Sequence, residues 1–364
     1  MPDSPPVAFL QWLTHTLGAS QSALQITLIA GDASPRQYFR IRPLAGSWSD
    51  AASALLGPLS ESGSIMGVTA PAKENNDAFL RIQTVLEDAG LRVPYQFAAD
   101  LERGFLLMED FGDSLLLSQL SATTVDAHYT RALEVITRIS TIASDQSAPR
   151  FDEARITEEL GVFPEWFLQQ LLGFDEADMP SELLAGLTAL LIQVFMNQPQ
   201  GLVHRDFHSR NLMCLSDGEL GVIDFQDAVV GPVTYDPVSL LKDCYVRWPR
   251  ADQLRWLAHF RSQQVDMGRA MAEQHRVVRD FDLVGLQRHL RVLGVFARLY
   301  LRDAKPDYLN DLPLVLHYTR EALELHQSEP EIGAFYHWFE SSVMPRVAQQ
   351  PWYVPTPAVS APGE

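Results

Sequence analysis

Cysteine is scarce in this chain, where only Cys214 and Cys244 occur among 364 residues. Two cysteines cannot form the framework of several disulfides that stabilises small secreted proteins. The sequence also has no Cys-x-x-Cys pair of the kind that binds zinc. We therefore expect both thiols to be reduced and to serve as small apolar side chains.

Basic residues are also few. The 28 Lys and Arg residues face 46 Asp and Glu residues, which gives a formal net charge of −18. Such a chain is a poor candidate for binding a nucleic-acid backbone, which requires clustered cations, and it would be repelled by an anionic membrane. A local basic pocket for one small anion is still compatible with this charge, because net charge describes the whole surface.

Long hydrophobic runs are missing as well. The run at residues 187–196 is far shorter than a membrane span. The first twenty residues lack the basic segment and apolar core of a secretory signal. We therefore expect a cytoplasmic protein that acts without a membrane, a nucleic acid or an obligate protein partner.

Hydrophobic periodicity divides the chain into two parts. Up to about residue 108 it predicts a first helix and then β-β-β-α-β-β, with residues 45–63 as a loop. Beyond residue 109 helical periodicity dominates. At residues 202–226 two short apolar runs are joined by Ser-Asp-Gly, a turn typical of a hairpin. The predicted divisions are a small lobe over 1–108, a helical lobe over 109–348 and a Pro/Ala-rich tail over 349–364.

The individual elements follow from the same patterns, with glycine and proline at their ends. The predicted strands are 24–30, 37–42, 64–69, 94–99 and 104–108. The first helix is expected to start at Asp3 and Ser4, before two prolines. After it, the predicted helices are 75–89, 125–143, 156–172, 181–197, 237–245, 251–267, 280–302 and 307–326.

A His-Arg-Asp triplet ending at Asp206 is followed five residues on by Asn211, and the hairpin then ends in an Asp-Phe pair at Asp224. This order is typical of phosphoryl-transfer sites. Asp206 can accept the proton of a substrate hydroxyl and orient it. Asn211 and Asp224 offer the oxygen ligands that Mg²⁺ prefers. His-Arg-Asp alone is a weak signal, but the combination predicts a kinase-like site in which His204 is structural.

These motifs resemble the aminoglycoside phosphotransferase family, relatives of the protein kinases that phosphorylate small molecules. The strings HRDFHSRNLM and VIDFQDA carry the resemblance to the family. The chain is further similar to one subgroup, the bacterial kinases of the anomeric hydroxyl of N-acetylmuramate and N-acetylglucosamine in cell-wall sugar recycling. The strings that carry this likeness are GDASPRQYFRI, GFLLMEDFGD, GPVTYDPVSLLKDCYVRWP and FDLVGLQRHLRVLGVFARL, so the resemblance covers most of residues 20–325.

The resemblance implies an α+β, bilobal, protein-kinase-like fold with a small β-rich nucleotide-binding lobe and a large helical lobe. It implies ATP and Mg²⁺ as cofactors, bound in the cleft between the lobes. Asp206 matches the catalytic base, and Asn211 and Asp224 match the metal ligands. Asp236 matches an aspartate that braces the catalytic loop, although its segment is also typical of a helix N-cap. The nucleotide would be held by Gly31, Asp32, Ala33 and Ser34 at the phosphates and by Glu109 and Phe111 at the adenine edge.

One departure concerns the lysine that protein kinases carry on their third strand to contact the phosphates. The corresponding strand here, SIMGVTAP, has no cation. The charge could come from Lys73, just beyond this strand, or from an arginine near the second strand. Glu74 or Glu87 could be the helix acid. The arginine candidates are Arg36, Arg40 and Arg42.

An anomeric hydroxyl is more acidic than an ordinary alcohol, so a carboxylate is an adequate base for it. We expect segments 243–247 and 288–291 to line the sugar, with an arginine suited to the lactyl carboxylate of N-acetylmuramate. The candidates for contact with the substrate are Asp243, Arg247, Arg288 and Arg291. Two alternatives stay open: a family kinase of another hydroxyl, on an aminoglycoside, choline or homoserine, and a nucleotide-binding protein without turnover.

Overall fold

The computed structural model describes residues 4–29, 36–70, 76–143 and 148–355. Several residues singled out above lie outside these ranges: Gly31, Asp32, Ala33, Ser34, Lys73 and Glu74. The chain divides into two compact units. Unit 1 consists of Met1–Ser114 and Met213–Gln226, and unit 2 consists of Leu115–Leu212 and Asp227–Glu364.

This division differs from the boundary expected at residue 108, because the hairpin 213–226 belongs to unit 1. The backbone N–H of Cys214 donates to the carbonyl oxygen of Ser114 over 2.8 Å. The N–H of Val222 donates to the carbonyl oxygen of Arg92, also over 2.8 Å. The sequence places the hairpin among helices, and only these long-range hydrogen bonds show which unit it joins.

Unit 1 is built on a five-stranded antiparallel sheet with the strand order β1-β2-β3-β5-β4. All five predicted strands are confirmed, with ends shifted by one or two residues. The strands are β1 (Leu24–Ile29), β2 (Gln37–Pro43), β3 (Ile65–Thr69), β4 (Gln96–Asp100) and β5 (Phe105–Glu109). Helix α3 (Asn76–Asp88), predicted over 75–89, follows β3.

The first helix, α1 (Val7–Leu17), packs aromatic side chains on this sheet. The ring of Phe9 lies 5.7 Å from that of Phe39 and 5.4 Å from that of Phe105, measured between centroids. A Cβ atom at Gly67 of β3 would lie 2.7 Å from the Phe9 ring. The sheet therefore admits this ring only because β3 has no side chain there.

Residues 45–63 are not a loop, and that prediction is wrong. They contain α2 (Asp50–Leu56) and a 3₁₀ helix over Gly57–Ser62. The hydroxyl of Ser49 caps α2 by accepting the backbone N–H of Ala52 over 3.2 Å. Leu56 is buried in the core of unit 1. The small residues of this segment give too weak an apolar period for the helix to be recognised.

The predicted hairpin is confirmed by strands β7 (Leu212–Cys214) and β8 (Leu220–Val222), which form a two-stranded sheet. Its turn depends on Gly218, which has a φ of +85°. The N–H of Gly218 donates to the carbonyl of Leu215 over 3.0 Å. Glycine reaches this left-handed conformation without strain, which explains the Ser-Asp-Gly sequence.

Unit 2 is mainly helical and includes one antiparallel strand pair, β6 with β9. The predicted helices are confirmed, but several ends differ: the helix expected over 237–245 ends at Leu241, the one over 280–302 begins at Gln274, and the one over 307–326 begins at Leu312. The helix expected over 156–172 is α-helical only to Val162 and continues as a π-helix over Phe163–Leu171. The short α4 and the pair α12 and α13 were not predicted. The elements are α4 (Leu116–Gln119), α5 (Val125–Thr141), α6 (Glu153–Val162), α7 (Ser181–Met196), β6 (Gln200–Val203), β9 (Val229–Pro232), α8 (Tyr235–Leu241), α9 (Arg250–Asp266), α10 (Gln274–Leu301), α11 (Leu312–Leu325), α12 (Pro330–Trp338) and α13 (Met344–Val347).

A buried ionic cluster crosses the core of unit 2. Lys242 Nζ lies 2.9 Å from Asp282 Oδ1, and both side chains are fully buried. Arg250 donates two further hydrogen bonds to the same carboxylate, at 3.0 and 2.7 Å. Burial by itself would raise the pKa of Asp282, but Lys242, His326 and Arg250 hold it well below its ordinary value.

Among the described residues, no helix is long and apolar enough to cross a bilayer.

Gly104, in the turn between β4 and β5, offers a test of the packing in unit 1. Its φ is +70°, and a Cβ there would lie 1.8 Å from the carbonyl oxygen of Ala70. We expect Gly104→Ala to lower the free energy of unfolding by about 2–4 kcal/mol, because it adds a backbone clash to a strained φ. Gly46→Ala is the matched control, since Gly46 has a φ of +76° with no atom within 4 Å. It should cost about 1 kcal/mol. Urea unfolding measures both, and equal losses would refute the clash.

Candidate active site

The loop over residues 204–211, between β6 and β7, is held by hydrogen bonds to side chains of α8. The carboxylate of Asp236 accepts the backbone N–H of His204 over 2.7 Å and that of Arg205 over 2.9 Å. The hydroxyl of Ser239 donates to the carbonyl oxygen of Arg205 over 2.9 Å. Arg205 has a φ of +75°, a strained conformation for a residue with a side chain. These three bonds therefore fix the strained backbone from which Asp206 projects.

Asp236 thus braces the loop, as the family resemblance implies. It does not cap α8, because it lies inside the helix and Thr234 stands at the N-cap position. His204 is structural as expected: it is buried, and its ring packs edge-on against that of Phe207 at 5.7 Å.

Asp243 holds the far end of the same loop. Its Oδ2 accepts the backbone N–H of Ser209 over 2.9 Å and also the Ser209 hydroxyl. Its Oδ1 accepts the backbone N–H of Tyr245 over 3.1 Å. Asp243 is fully buried and both oxygens are used inside the protein. We expected Asp243 to line the sugar. Its hydrogen bonds instead place it where it positions the loop.

The half-buried carboxylate of Asp206 lies among positive charges. Burial by itself would raise its pKa, but Arg291, Arg205, His208 and Arg288 together hold the pKa well below its ordinary value. Asp206 is therefore ionised at neutral pH and can accept a proton. Its low basicity suits a reaction in which the hydroxyl loses its proton late.

Asn211, in unit 2, uses the nitrogen end of its amide to stay in the loop. Its Nδ2 donates to the carbonyl oxygen of Asp206 over 3.0 Å. This bond fixes which end of the amide is the oxygen, the atom that can ligate a cation. Mg²⁺ prefers such hard oxygen ligands and completes its shell with water and phosphate oxygens. The amide of Asn211 therefore fits the predicted role.

Asp224, in unit 1, ends the hairpin in a strained conformation with a φ of +64°. Its Oδ1 accepts the side-chain amide of Gln226 over 2.8 Å. The next residue, Phe225, stacks on Phe79 of α3 with centroids 4.9 Å apart. Positive φ at a residue other than glycine is often found at functional sites, where surrounding packing maintains it. A carboxylate held in this way has the donor chemistry of a Mg²⁺ ligand.

The two residues expected at the adenine edge are held inside unit 1. The N–H of Glu109 donates to the carbonyl oxygen of Tyr95 over 2.8 Å, and its carboxylate pairs with Arg92. The Phe111 ring lies 4.7 Å from the Arg92 guanidinium and packs against Gly221, where a Cβ would be 2.6 Å away. The amide N–H of Glu109 is thus already bonded within the protein.

Arg40 does not supply the missing cation of the third strand. Its Nε lies 2.5 Å from Asp110, and its Nη1 lies 2.8 Å from Asp113. Arg42 is exposed.

Arg36 is placed differently. It is buried, and its guanidinium carbon lies 5.5 Å from the centroid of the Phe79 ring. Phe79 in turn stacks on Phe225, the residue that follows Asp224. Arg36 is thus connected through the Phe79 ring to the segment that contains Asp224.

The other expected sugar contacts, Arg288 and Arg247, also lie in unit 2. Arg288 is buried, and its Nη1 lies 3.4 Å from the sulfur of Cys244. Arg247 is half-buried. Burial of His317 on α11 lowers the pKa of that imidazole, and the positive charge of Arg247 lowers it further. Both cysteines are free thiols, as expected.

A cavity of about 520 Å³ opens in unit 2 between α6 and α10. Arg155 and Glu159 of α6 line one side, and Arg291 and Arg298 of α10 line the other. Only Arg291 was among the candidates from the sequence. The other three lie on ordinary amphipathic helices, and no spacing in the sequence shows that these two helix faces meet.

Comparison with known proteins identifies the family. The model of the phosphotransferase enzyme family, APH, matches residues 25–273. The chain belongs to this family. A curated relative from Pseudomonas putida, an N-acetylmuramate/N-acetylglucosamine kinase, is 37% identical over 309 residues, which cover 85% of this chain and 86% of the relative. Relatives with the same name from Pseudomonas aeruginosa and Neisseria meningitidis are 37% and 33% identical, covering 72% and 81% of this chain and 78% and 84% of the relatives.

Solved structures of other phosphotransferases share the fold, which is that of the protein kinases. An ethanolamine kinase from Plasmodium vivax matches with a TM-score of 0.60 and 11% identity, covering 82% of each chain. A choline kinase from Streptococcus pneumoniae matches with a TM-score of 0.58 and 12% identity, over 89% of this chain and 98% of that one. An ADP-bound aminoglycoside phosphotransferase matches with a TM-score of 0.53 and 16% identity, over 87% and 99%. At these identities the likeness concerns the fold alone.

The brace of this phosphotransferase can be tested by its pH dependence. Burial raises the pKa of Asp236 to about 7. Because this value exceeds the unfolded value of about 3.9, the carboxyl group stabilises the fold most below about pH 4, and this contribution is lost as the pH rises through about 7. We therefore expect Asp236→Asn to lower the free energy of unfolding more at about pH 6 than at about pH 8.5. The variant should also lower kcat at least about ten-fold, because its amide has one acceptor oxygen for two backbone N–H groups.

The control for this variant is Asp303→Asn, which removes an exposed carboxylate paired with Arg302. Its pKa is lowered, chiefly by the hydrogen bond from Arg302, so its contribution changes only at acid pH. Urea unfolding at the two pH values should therefore show the same small cost. An equal cost of Asp236→Asn at both values would contradict the raised pKa.

Proposed function

We propose that this protein transfers the γ-phosphoryl group of ATP to the anomeric hydroxyl of N-acetylmuramate and N-acetylglucosamine. The observation that carries the proposal is an ionised Asp206 on a braced loop, in a chain 37% identical over 85% of its length to a kinase of these two sugars. The class of reaction follows from the phosphotransferase family, and the acceptors follow from the curated relatives.

In the proposed reaction, Asp206 accepts the proton of the C1 hydroxyl as the hydroxyl oxygen forms a bond to the γ-phosphorus. The bond between this phosphorus and the β,γ-bridging oxygen breaks, and ADP leaves. A loose transition state makes orientation more important than basicity, which agrees with the lowered pKa of Asp206. Mg²⁺, when bound, neutralises phosphate charge, and Asn211 and Asp224 are the residues that would hold it.

The nucleotide is proposed to be ATP, and an ADP-bound structural neighbour supports this choice. We assign the phosphate contacts to the backbone of residues 31–34 and to Arg36, and the adenine contact to the segment Glu109–Phe111. Since Arg40 is neutralised by two aspartates, Arg36 is the better substitute for the absent third-strand lysine.

The cationic alternative acceptors are less compatible with the charge of the cavity between α6 and α10. Choline, ethanolamine and aminoglycoside kinases share the fold, and all these acceptors are cations. The cavity between α6 and α10, next to the arginines that act on Asp206, is lined by four arginines and three acids. This charge repels a cationic acceptor and tolerates a neutral or anionic sugar.

The proposed function is tested by ³¹P NMR of ATP mixed with a panel of acceptors. We expect a sugar 1-phosphate from each amino sugar and much slower reaction of glucose, which lacks the acetamido group. Product phosphorylated at O6, or faster reaction of an aminoglycoside, would refute the acceptor assignment.

Two aspartate variants separate the base from the metal ligand. Asp206→Asn should lower kcat by about 10²- to 10⁴-fold with the KM for ATP within about two-fold, because it removes a base and no nucleotide contact. Asp224→Ala should also weaken binding of Mg-nucleotide. Initial rates over a range of ATP concentrations measure both effects, with the surface variant Asp303→Asn as control. Near-native rates of both variants would refute the catalytic assignment.

Arg36→Gln tests the phosphate contact. We expect the KM for ATP to rise about ten-fold, because a charged hydrogen bond to phosphate is lost. The matched control is Arg42→Gln, which removes an exposed arginine from β2 and should leave the KM for ATP unchanged. An unchanged KM for ATP in Arg36→Gln would instead favour Lys73 as the cation that contacts the phosphates.

A further inference from the structure

The cavity in unit 2 has the shape of a slot between two helices. Arg291 and Arg298 lie seven residues apart, close to two helical turns, on the same face of α10. Between them, Gly294 lets α10 approach the opposite wall so closely that a Cβ would lie 2.3 Å from the carbonyl oxygen of Val162. The helices therefore meet at Gly294, and the side chains beyond the contact surround the slot.

The positive charge in the slot exceeds its fixed negative partners. The carboxylate of Glu159 is shared by Arg205, by Arg291 Nε at 3.4 Å and by Arg155 Nε at 3.8 Å. Arg298 forms no ion pair with any residue in the part of the chain that the structure describes, and its Nε is buried without a hydrogen-bond partner. The slot is lined by four arginines and three acids, and one of these acids, Glu159, is also bound by Arg205.

The protonation equilibria agree with this imbalance. Burial and the charge of Arg205 lower the pKa of Arg155. Burial and the charges of Arg302 and Arg291 lower the pKa of Arg298. Cations that disfavour each other in this way are stabilised when an anion binds among them.

The slot shares its electrostatic environment with the catalytic base. Glu159 lines the slot and pairs with both Arg291 and Arg205, and Arg205 directly precedes Asp206 in the chain. Glu159 thus connects the loop that carries Asp206 to the slot that Arg155 and Arg298 line.

We propose that Arg155 and Arg298 bind the lactyl carboxylate of N-acetylmuramate and thereby set the preference of this kinase between its two acceptors. The inference rests on the proposed function. The lactyl group is carried on C3 of N-acetylmuramate, and N-acetylglucosamine has a hydroxyl there. A guanidinium group has parallel N–H donors that match the two oxygens of a planar carboxylate. Arg155 and Arg298 offer such groups from opposite walls of the slot.

Arg298→Gln is the most informative variant, because no acid among the described residues loses its partner. We expect kcat/KM for N-acetylmuramate to fall about ten-fold or more, mainly through KM, because the lost contact is remote from the reacting oxygen. The value for N-acetylglucosamine should stay within about two-fold. Arg155→Gln should act in the same direction, and Arg298→Lys should retain more activity on N-acetylmuramate than Arg298→Gln does.

The matched control is Arg276→Gln, which removes one charge from the exposed first turn of α10, about 33 Å along the helix from Arg298. It should leave the ratio of kcat/KM values for the two sugars unchanged. A substrate-side test needs no variant: the methyl ester of N-acetylmuramate should lose as much kcat/KM on the wild-type protein as the acid loses on Arg298→Gln.

Three outcomes would overturn the inference while the proposed function stands. These are an unchanged ratio in both Arg155→Gln and Arg298→Gln, an equal loss on both sugars, and a raised KM for ATP, which would assign the slot to nucleotide phosphate. A wild-type protein that phosphorylates neither sugar would overturn the proposed function and this inference together.

Discussion

The hydrogen bonds from Asp236 to the backbone of His204 and Arg205 are the constraint on which the site depends. Arg205 has a φ that a side chain disfavours, and without a buried acceptor its N–H would be unsatisfied. Asp243 holds the other end of the loop in the same way, because its carboxylate accepts the backbone N–H of Ser209. Since α8 and the residues just after it supply both carboxylates, the loop that carries Asp206 has a rigid support.

The Arg205 side chain connects this support to the substrate region. Its guanidinium binds Glu159, so the loop is joined to α6, and Glu159 in turn holds Arg291 of α10. The same arginines keep Asp206 ionised in a half-buried position. The same excess of arginine lowers the basicity of Asp206 and supports the anion site proposed at Arg155 and Arg298.

The sequence predicted the strands of unit 1 and the hairpin because their signals are local. Apolar alternation identifies β2, and a glycine at positive φ identifies the turn at Gly218. Helix α2 was missed because a run of small residues has little apolar period. The assignment of Asp243 to the sugar changed for another reason: a buried carboxylate that holds backbone and one that binds substrate look alike in a sequence.

By itself, the sequence determined the class of reaction, because the motifs that contain Asp206, Asn211 and Asp224 have the spacing typical of phosphotransferases, and the chain belongs to that family. Only the tertiary structure decided which charges surround the base. Arg291 is distant in sequence from Glu159 and lies on a helix of ordinary pattern, and its contact with Glu159 depends on the close approach of α10 to the end of α6 that Gly294 allows. Electrostatic energy depends on distance in space, and no spacing along the chain specifies that distance.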